Sequence, residues 1–96
     1  MISSSIIEEV VVPTSVAAGT TNTRGNYLGS VRSLVVTGTF TGTFRLQASV
    51  DGTNWADASA DITAPTVIDV KLAPLYRANV SAYTSGTPKA WLCGAG

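Results

Sequence analysis

Carboxylates are the side chains of this sequence best suited to chemistry. Asp57 and Asp61 lie close together near a predicted loop, where oxygen ligands could bind calcium weakly or a pair of acids could act as in a glycosidase. The 96 residues include no histidine and one cysteine, Cys93, so the usual general base and the ligands of a zinc site are missing. We therefore interpret the acids as solvated surface groups and predict no enzymatic activity, no cofactor and no metal.

Trp55 is the candidate ligand platform. It closes the run Ser49-Val-Asp-Gly-Thr-Asn-Trp55, which resembles a hairpin of carbohydrate-binding and discoidin-like sandwiches. Glycine adopts positive φ freely and an aspartate side chain accepts backbone N–H bonds, so Asp51-Gly52 predicts a tight turn. The resemblance implies that the tryptophan packs beneath this turn. The functional alternative, in which its ring stacks on a sugar, stays open.

Three further side chains have a structural interpretation that we favour. Tyr83 precedes a predicted turn at Thr84-Ser85-Gly86 and could anchor an interface, because tyrosine offers a large contact area at little entropic cost. Packing against its own turn is the favoured role. Trp91 is predicted to lie in the core on an interior strand, with a ligand platform as the alternative. Cys93 is predicted to be a small buried hydrophobe on the last strand.

Alternation with a period of two dominates the chain and predicts strands. In residues 43–50, for example, Phe44, Leu46, Ala48 and Val50 alternate with polar residues. Turns are predicted at Thr41-Gly42, at residues 51–54 and at 84–86. The predicted strands cover residues 6–12, 31–40, 43–50, 55–58, 66–72, 76–82 and 88–93. The fold class is therefore all-β, a small antiparallel β-sandwich of about seven strands.

The first thirty residues differ from the rest. Residues 6–12 do not alternate cleanly and stop at Pro13, so they form either an edge strand or an extended arm that pairs with another chain. Residues 15–30 are rich in small and polar side chains and predict a long loop. We assign residues 1–30 to an N-terminal arm and loop, and residues 31–96 to the sandwich domain. The predicted protein-interface residues are Ile6, Ile7, Val10, Val12, Tyr27 and Tyr83.

Charge argues against several partners. The six basic and six acidic residues cancel and are interspersed, so no basic surface for nucleic acid is predicted. No apolar run approaches the roughly 20 residues of a membrane helix, and the N-terminus lacks the features of a secretory signal. A surface that has no net charge and is rich in threonine and serine suits a protein packed into an assembly.

Three segments together resemble small β-sandwich proteins of tailed bacteriophages. They are Gly38-Thr-Phe-Thr-Gly-Thr-Phe-Arg-Leu-Gln-Ala-Ser-Val-Asp-Gly-Thr-Asn-Trp55, Leu75-Tyr-Arg-Ala-Asn-Val80 and Tyr83-Thr-Ser-Gly-Thr87. The resemblance covers roughly residues 31–92 and implies a virion component without catalytic residues.

The expected function is that of a capsid decoration (cement) protein. Such a protein would be made in the host cytoplasm, bind major capsid subunits at the head surface and form a homo-oligomer, with a trimer favoured. The alternatives are a structural component of the tail, neck or fibre, and a glycan-binding β-sandwich module.

Overall fold

The structure, a computed structural model, describes residues 5–20, 31–71 and 73–95. These ranges contain no helix, and therefore none long and apolar enough to cross a membrane. They form seven strands, β1 Ser5–Val10, β2 Val31–Thr37, β3 Phe40–Ser49, β4 Ala56–Asp57, β5 Thr66–Asp69, β6 Leu75–Gly86 and β7 Lys89–Ala95. The predicted all-β class and the strand number are confirmed.

Two antiparallel sheets form the sandwich. The four-stranded sheet has the order β1-β7-β2-β5, and the three-stranded sheet has the order β4-β3-β6. Alternate side chains of both sheets turn inward and exclude water, which is the main favourable contribution to folding. The largest fully buried side chains are Tyr76, Phe44, Leu34, Leu46, Leu92, Val10 and Val36.

A long two-stranded ribbon connects the sheets. β2 pairs with β7 in one sheet, and their continuations β3 and β6 pair in the other. The ribbon bends where Gly38 and Gly86 both have a φ of 95°, and the Thr87 N–H donates to the Thr39 carbonyl oxygen at 3.1 Å. Glycine suits both positions because an L side chain rarely adopts this φ.

The predicted turns at Thr41-Gly42 and at residues 84–86 are therefore wrong. Residues 41 and 42 lie inside β3, and residues 84–86 are the last residues of β6. Gly42 lies where the pairing with β6 shifts register instead of at a positive φ. The chain leaves each sheet at residues 38–39 and 87–88, because these are the points at which the ribbon passes from one sheet to the other.

β1 belongs to the sandwich of its own chain. It pairs with β7 along its whole length, from Ser5 opposite Ala95 to Val10 opposite Ala90. The predicted edge strand is confirmed, whereas the arm that pairs with another chain is not what the structure shows. Val10 and Val12 are wrong as interface residues, because they are 1% and 8% exposed and lie in the core.

Other parts of the N-terminal region also contact the sandwich. The Gly19 N–H donates to the Ala78 carbonyl oxygen at 2.7 Å, and the Val80 N–H donates to the Ala17 carbonyl oxygen at 2.9 Å. Residues 17–19 thus run along β6 at an edge of the three-stranded sheet. Of the remaining predicted interface residues, Ile6 and Ile7 lie in β1, and Tyr27 lies outside the described residues.

The hairpin between β3 and β4 matches the predicted turn at residues 51–54. The alternation before it holds as far as Leu46 and then breaks. Ser49 is buried at 5% exposure, while Val50, predicted to face the core, is 81% exposed. The break has a local cause, because the Ser49 hydroxyl turns inward to bond the backbone of the turn.

Candidate binding faces of the sandwich

A closed set of hydrogen bonds shapes the turn before Trp55. The Ser49 Oγ accepts the N–H groups of Asp51 and Gly52 at 3.2 and 2.9 Å and donates to Asp51 Oδ1 at 2.9 Å. Asp51 Oδ1 also accepts the N–H groups of Thr53 and Asn54, both at 2.9 Å. These bonds to the charged carboxylate, the Asn54 N–H first among them, hold the pKa of Asp51 well below its usual range. The serine and aspartate of the motif are therefore structural.

Trp55 packs against an arginine of the neighbouring strand β6. The Arg77 guanidinium carbon lies 4.3 Å from the centre of the Trp55 ring, a cation–π geometry, and both side chains are half-buried. Arg77 Nε also donates to Gln47 Oε1 at 2.9 Å. One face of the indole is thus covered by this chain. A sugar could stack only on the other face of the ring.

Asp57 and Asp61 come together around a single cation, Arg45. The guanidinium donates from Nε to Asp61 Oδ1 and from one terminal nitrogen to Asp57 Oδ2, and Gln47 Nε2 donates to Asp57 Oδ1 at 3.2 Å. The Gln47 amide and then Arg45 lower the pKa of Asp57. The hydrogen bond to Asp61, then that to Asp57, raises the pKa of Arg45. Both predicted carboxylates are therefore engaged by protein groups.

This arrangement does not suit calcium. A guanidinium already lies between the two carboxylates, where a metal ion would have to bind. Across residues 5–20, 31–71 and 73–95, no three acidic, cysteine or histidine side chains converge as ligands.

A polar depression opens beside Arg45 on the outer face of the three-stranded sheet. It has a volume of about 280 Å³ and is lined by Arg45, Asp57, Asp61, Asn79 and Ser81. Sequence reasoning had singled out only the two aspartates. The alternating polar residues of β3 and β6 could have indicated the other lining residues, because they share the outer face of the sheet. Arg45 and Asn79 lie directly opposite each other on these two strands.

The outer face of the four-stranded sheet is different in character. Glu9, Trp91, Val35 and Val67 lie side by side across β1, β7, β2 and β5. Val67 is 66% exposed, and Trp91 and Val35 are partly exposed. Lys89 lies 3.8 Å from the Glu9 carboxylate at one end of this row. We call Trp91, Val35 and Val67 the apolar row.

Two predictions for β7 need correction. Trp91 was predicted to lie in the core, but its neighbours Ala90 and Leu92 occupy the inward positions at 1% and 2% exposure. The period of two therefore turns Trp91 outward. Cys93, two residues on, shares that face and is half-buried instead of fully buried.

Tyr83 contacts its own strand end. Its ring packs partly against the core, and its hydroxyl donates to the Gly86 carbonyl oxygen at 2.8 Å. These contacts fit the favoured packing role.

Comparison of the chain with protein-family models, with curated proteins and with solved structures gives no match.

Proposed function

We propose that this chain is a structural protein of a phage virion, a decoration protein that binds major capsid subunits at the head surface as a trimer. Support comes from the three segments that resemble small phage β-sandwiches. In the structure these segments comprise β3 with the turn that follows it, and most of β6 with the bend that follows that strand.

The apolar row is the observation that carries this proposal. Three apolar side chains stand side by side on a rigid, hydrogen-bonded sheet, and the outermost, Val67, is 66% exposed. Grouped apolar side chains on a surface mark sites of protein contact more often than scattered ones do. The charges of Glu9 and Lys89 at the end of the row offset each other, so the row itself suits an uncharged patch on a capsid subunit.

Heads that lack this protein provide the test. Purified wild-type protein and the Val67→Lys variant would be mixed with such heads, and bound protein would be measured after sedimentation. Because the ammonium group must lose water to enter an apolar contact, we expect binding to weaken at least tenfold, or about 1.4 kcal/mol.

Val50→Lys is the matched control. Val50 is 81% exposed and lies at the β3–β4 turn of the other sheet, away from the apolar row. Both variants should keep their stability to within about 0.5 kcal/mol, since both side chains are exposed. Failure of wild-type protein to bind heads would refute the decoration role. Equal binding by wild type and Val67→Lys would refute docking through the apolar row.

A further inference from the structure

We propose that the polar depression lined by Arg45, Asp57, Asp61, Asn79 and Ser81 binds a saccharide and recognises the hydroxyl groups of one sugar ring. It lies on the three-stranded sheet, whereas the apolar row lies on the four-stranded sheet. The inference therefore does not depend on the proposed decoration role.

The groups in the depression favour a neutral ligand that both donates and accepts hydrogen bonds. Two aspartates surround one arginine, so an anion would be repelled and a metal cation would meet the guanidinium. The carboxylate oxygens require donors, and the remaining N–H groups of Arg45 require acceptors. Sugar hydroxyls supply both kinds of group at close spacing.

Asn79 provides a polar group that the fold itself does not use. Its half-buried carboxamide lines the depression and, within the described part of the chain, makes no hydrogen bond to another protein group. A carboxamide can donate and accept at once, as hydroxyl recognition requires. Ser81, two residues along the same strand, donates to the Thr43 carbonyl oxygen at 3.4 Å and keeps its lone pairs available.

The polar side chains are held in place before any ligand arrives. Hydrogen bonds connect Arg77 to Gln47, Gln47 to Asp57 and Asp57 to Arg45, and strands β3, β4 and β6 carry these four residues. Exposed ion pairs of this kind add little to stability. Their effect here is to fix the orientation of the carboxylates, which lowers the entropic cost of binding.

An apolar depression adjoins the polar one and shares Asp61 with it. Residues 60–66 and Ile68 line this second space of about 330 Å³. Sugar rings present C–H groups as well as hydroxyls, so an apolar surface beside polar groups fits their chemistry. The polar depression is close to the smallest usual ligand pockets of about 300 Å³, so one ring is the expected occupant.

Binding should be weak, because the site is open to water. The side chains of Arg45, Asp57 and Asp61 are 44%, 43% and 53% exposed. We expect a dissociation constant of about 1 mM for a single sugar. Several copies held together in one assembly would raise the overall avidity.

The test is a titration of ¹⁵N-labelled protein followed by amide chemical shifts. The probes are the methyl glycosides of glucose, galactose and mannose, together with rhamnose and N-acetylglucosamine, each to about 10 mM. We expect at least one sugar to shift the amides of Arg45, Asp61 and Asn79 in a saturable manner. Calcium alone, as a separate titrant, should leave these amides unchanged.

Two variants locate the site. Asn79→Ala and Asp61→Ala should each weaken the sugar response at least tenfold, whereas Asp69→Ala, an exposed acid of β5 on the other sheet, should leave it unchanged. The dispersed spectrum of each variant reports that it is folded. Absence of any saturable shift with all five sugars would overturn the inference. Shifts confined to other residues, or a response to calcium alone, would overturn it equally.

Discussion

The hydroxyl group of Ser49 organises the turn between β3 and β4. It is nearly inaccessible to water and bonds two backbone N–H groups and the Asp51 carboxylate. Ser49→Ala would remove the acceptor of the Asp51 and Gly52 N–H groups, so we expect a loss of about 1 kcal/mol in the free energy of unfolding. Urea denaturation followed by tryptophan fluorescence measures it. The exposed Ser85→Ala is the control and should change stability by less than about 0.5 kcal/mol.

Acid should destabilise the fold through Asp51. Hydrogen bonds from the Asn54 and Thr53 N–H groups hold the pKa of Asp51 below its usual value of about 4. A carboxyl with a lowered folded pKa stabilises the fold above its unfolded pKa, and this stability is lost as the pH falls toward the folded pKa.

The Asp51→Asn variant tests this linkage. It should be less stable than wild type near neutral pH, yet lose less stability between about pH 5 and pH 3. Urea midpoints measured across this range would decide the matter. Identical losses in the two proteins would show that Asp51 does not contribute to acid sensitivity.

The structural role of a single residue was predictable from sequence only where its contacts lie within a few residues along the chain. Asp51 and Gly52 define their turn through bonds within a few residues, so the hairpin was recognisable. The contact of Arg45 with Asp57 and Asp61 spans 12 and 16 residues and depends on the fold. The stacking of Arg77 on Trp55 likewise required the pairing of β3 with β6.

At the scale of elements, the bend of the ribbon places the strictest limits on which residue can occupy a position. Gly86 has a φ of 95°, and an added Cβ would collide with the Thr39 carbonyl oxygen and the Phe40 Cα. Backbone atoms on the paired strand cannot move aside cheaply.

Two glycine substitutions separate this collision from conformational strain. Gly52 has a φ of 77°, but its Cβ would meet only Leu75 Cδ1 at 3.5 Å, an ordinary contact. We expect Gly52→Ala to cost about 1–2 kcal/mol from backbone strain alone. Gly86→Ala should cost several kcal/mol or prevent folding. Thermal denaturation of both variants measures the difference, and equal costs would contradict the proposed role of the bend.

The strands were predictable because the alternation of apolar and polar residues can be read within each strand by itself. The prediction failed at the connections, where glycines at residues 38 and 86 bend the ribbon and Gly42 does not turn it. The local sequence around residues 38–42 and 84–88 fits two separate hairpins as well as it fits one bent ribbon. Only the pairing of β2 with β7, which are distant in sequence, shows that the ribbon forms. β1 was ambiguous for the same reason, since its partner β7 lies at the far end of the chain.

At the scale of the whole molecule, the two outer faces of the sandwich differ. The four-stranded sheet carries the apolar row, and the three-stranded sheet carries linked polar side chains around a depression. In our proposal the first face lies against the capsid and the second faces solvent, where a saccharide could reach it. The inner sides of both sheets pack against the same hydrophobic core.

Cryo-electron microscopy of purified virions from the phage in which we propose this chain to reside tests the central claim most directly. The proposal predicts ordered β-sandwich density in trimeric groups on the head, with the four-stranded sheet against the major capsid subunits. Density for this chain in the tail, neck or fibre would contradict the decoration role, as would its absence from purified particles. Contact with the capsid through the three-stranded sheet would contradict the assignment of the two faces.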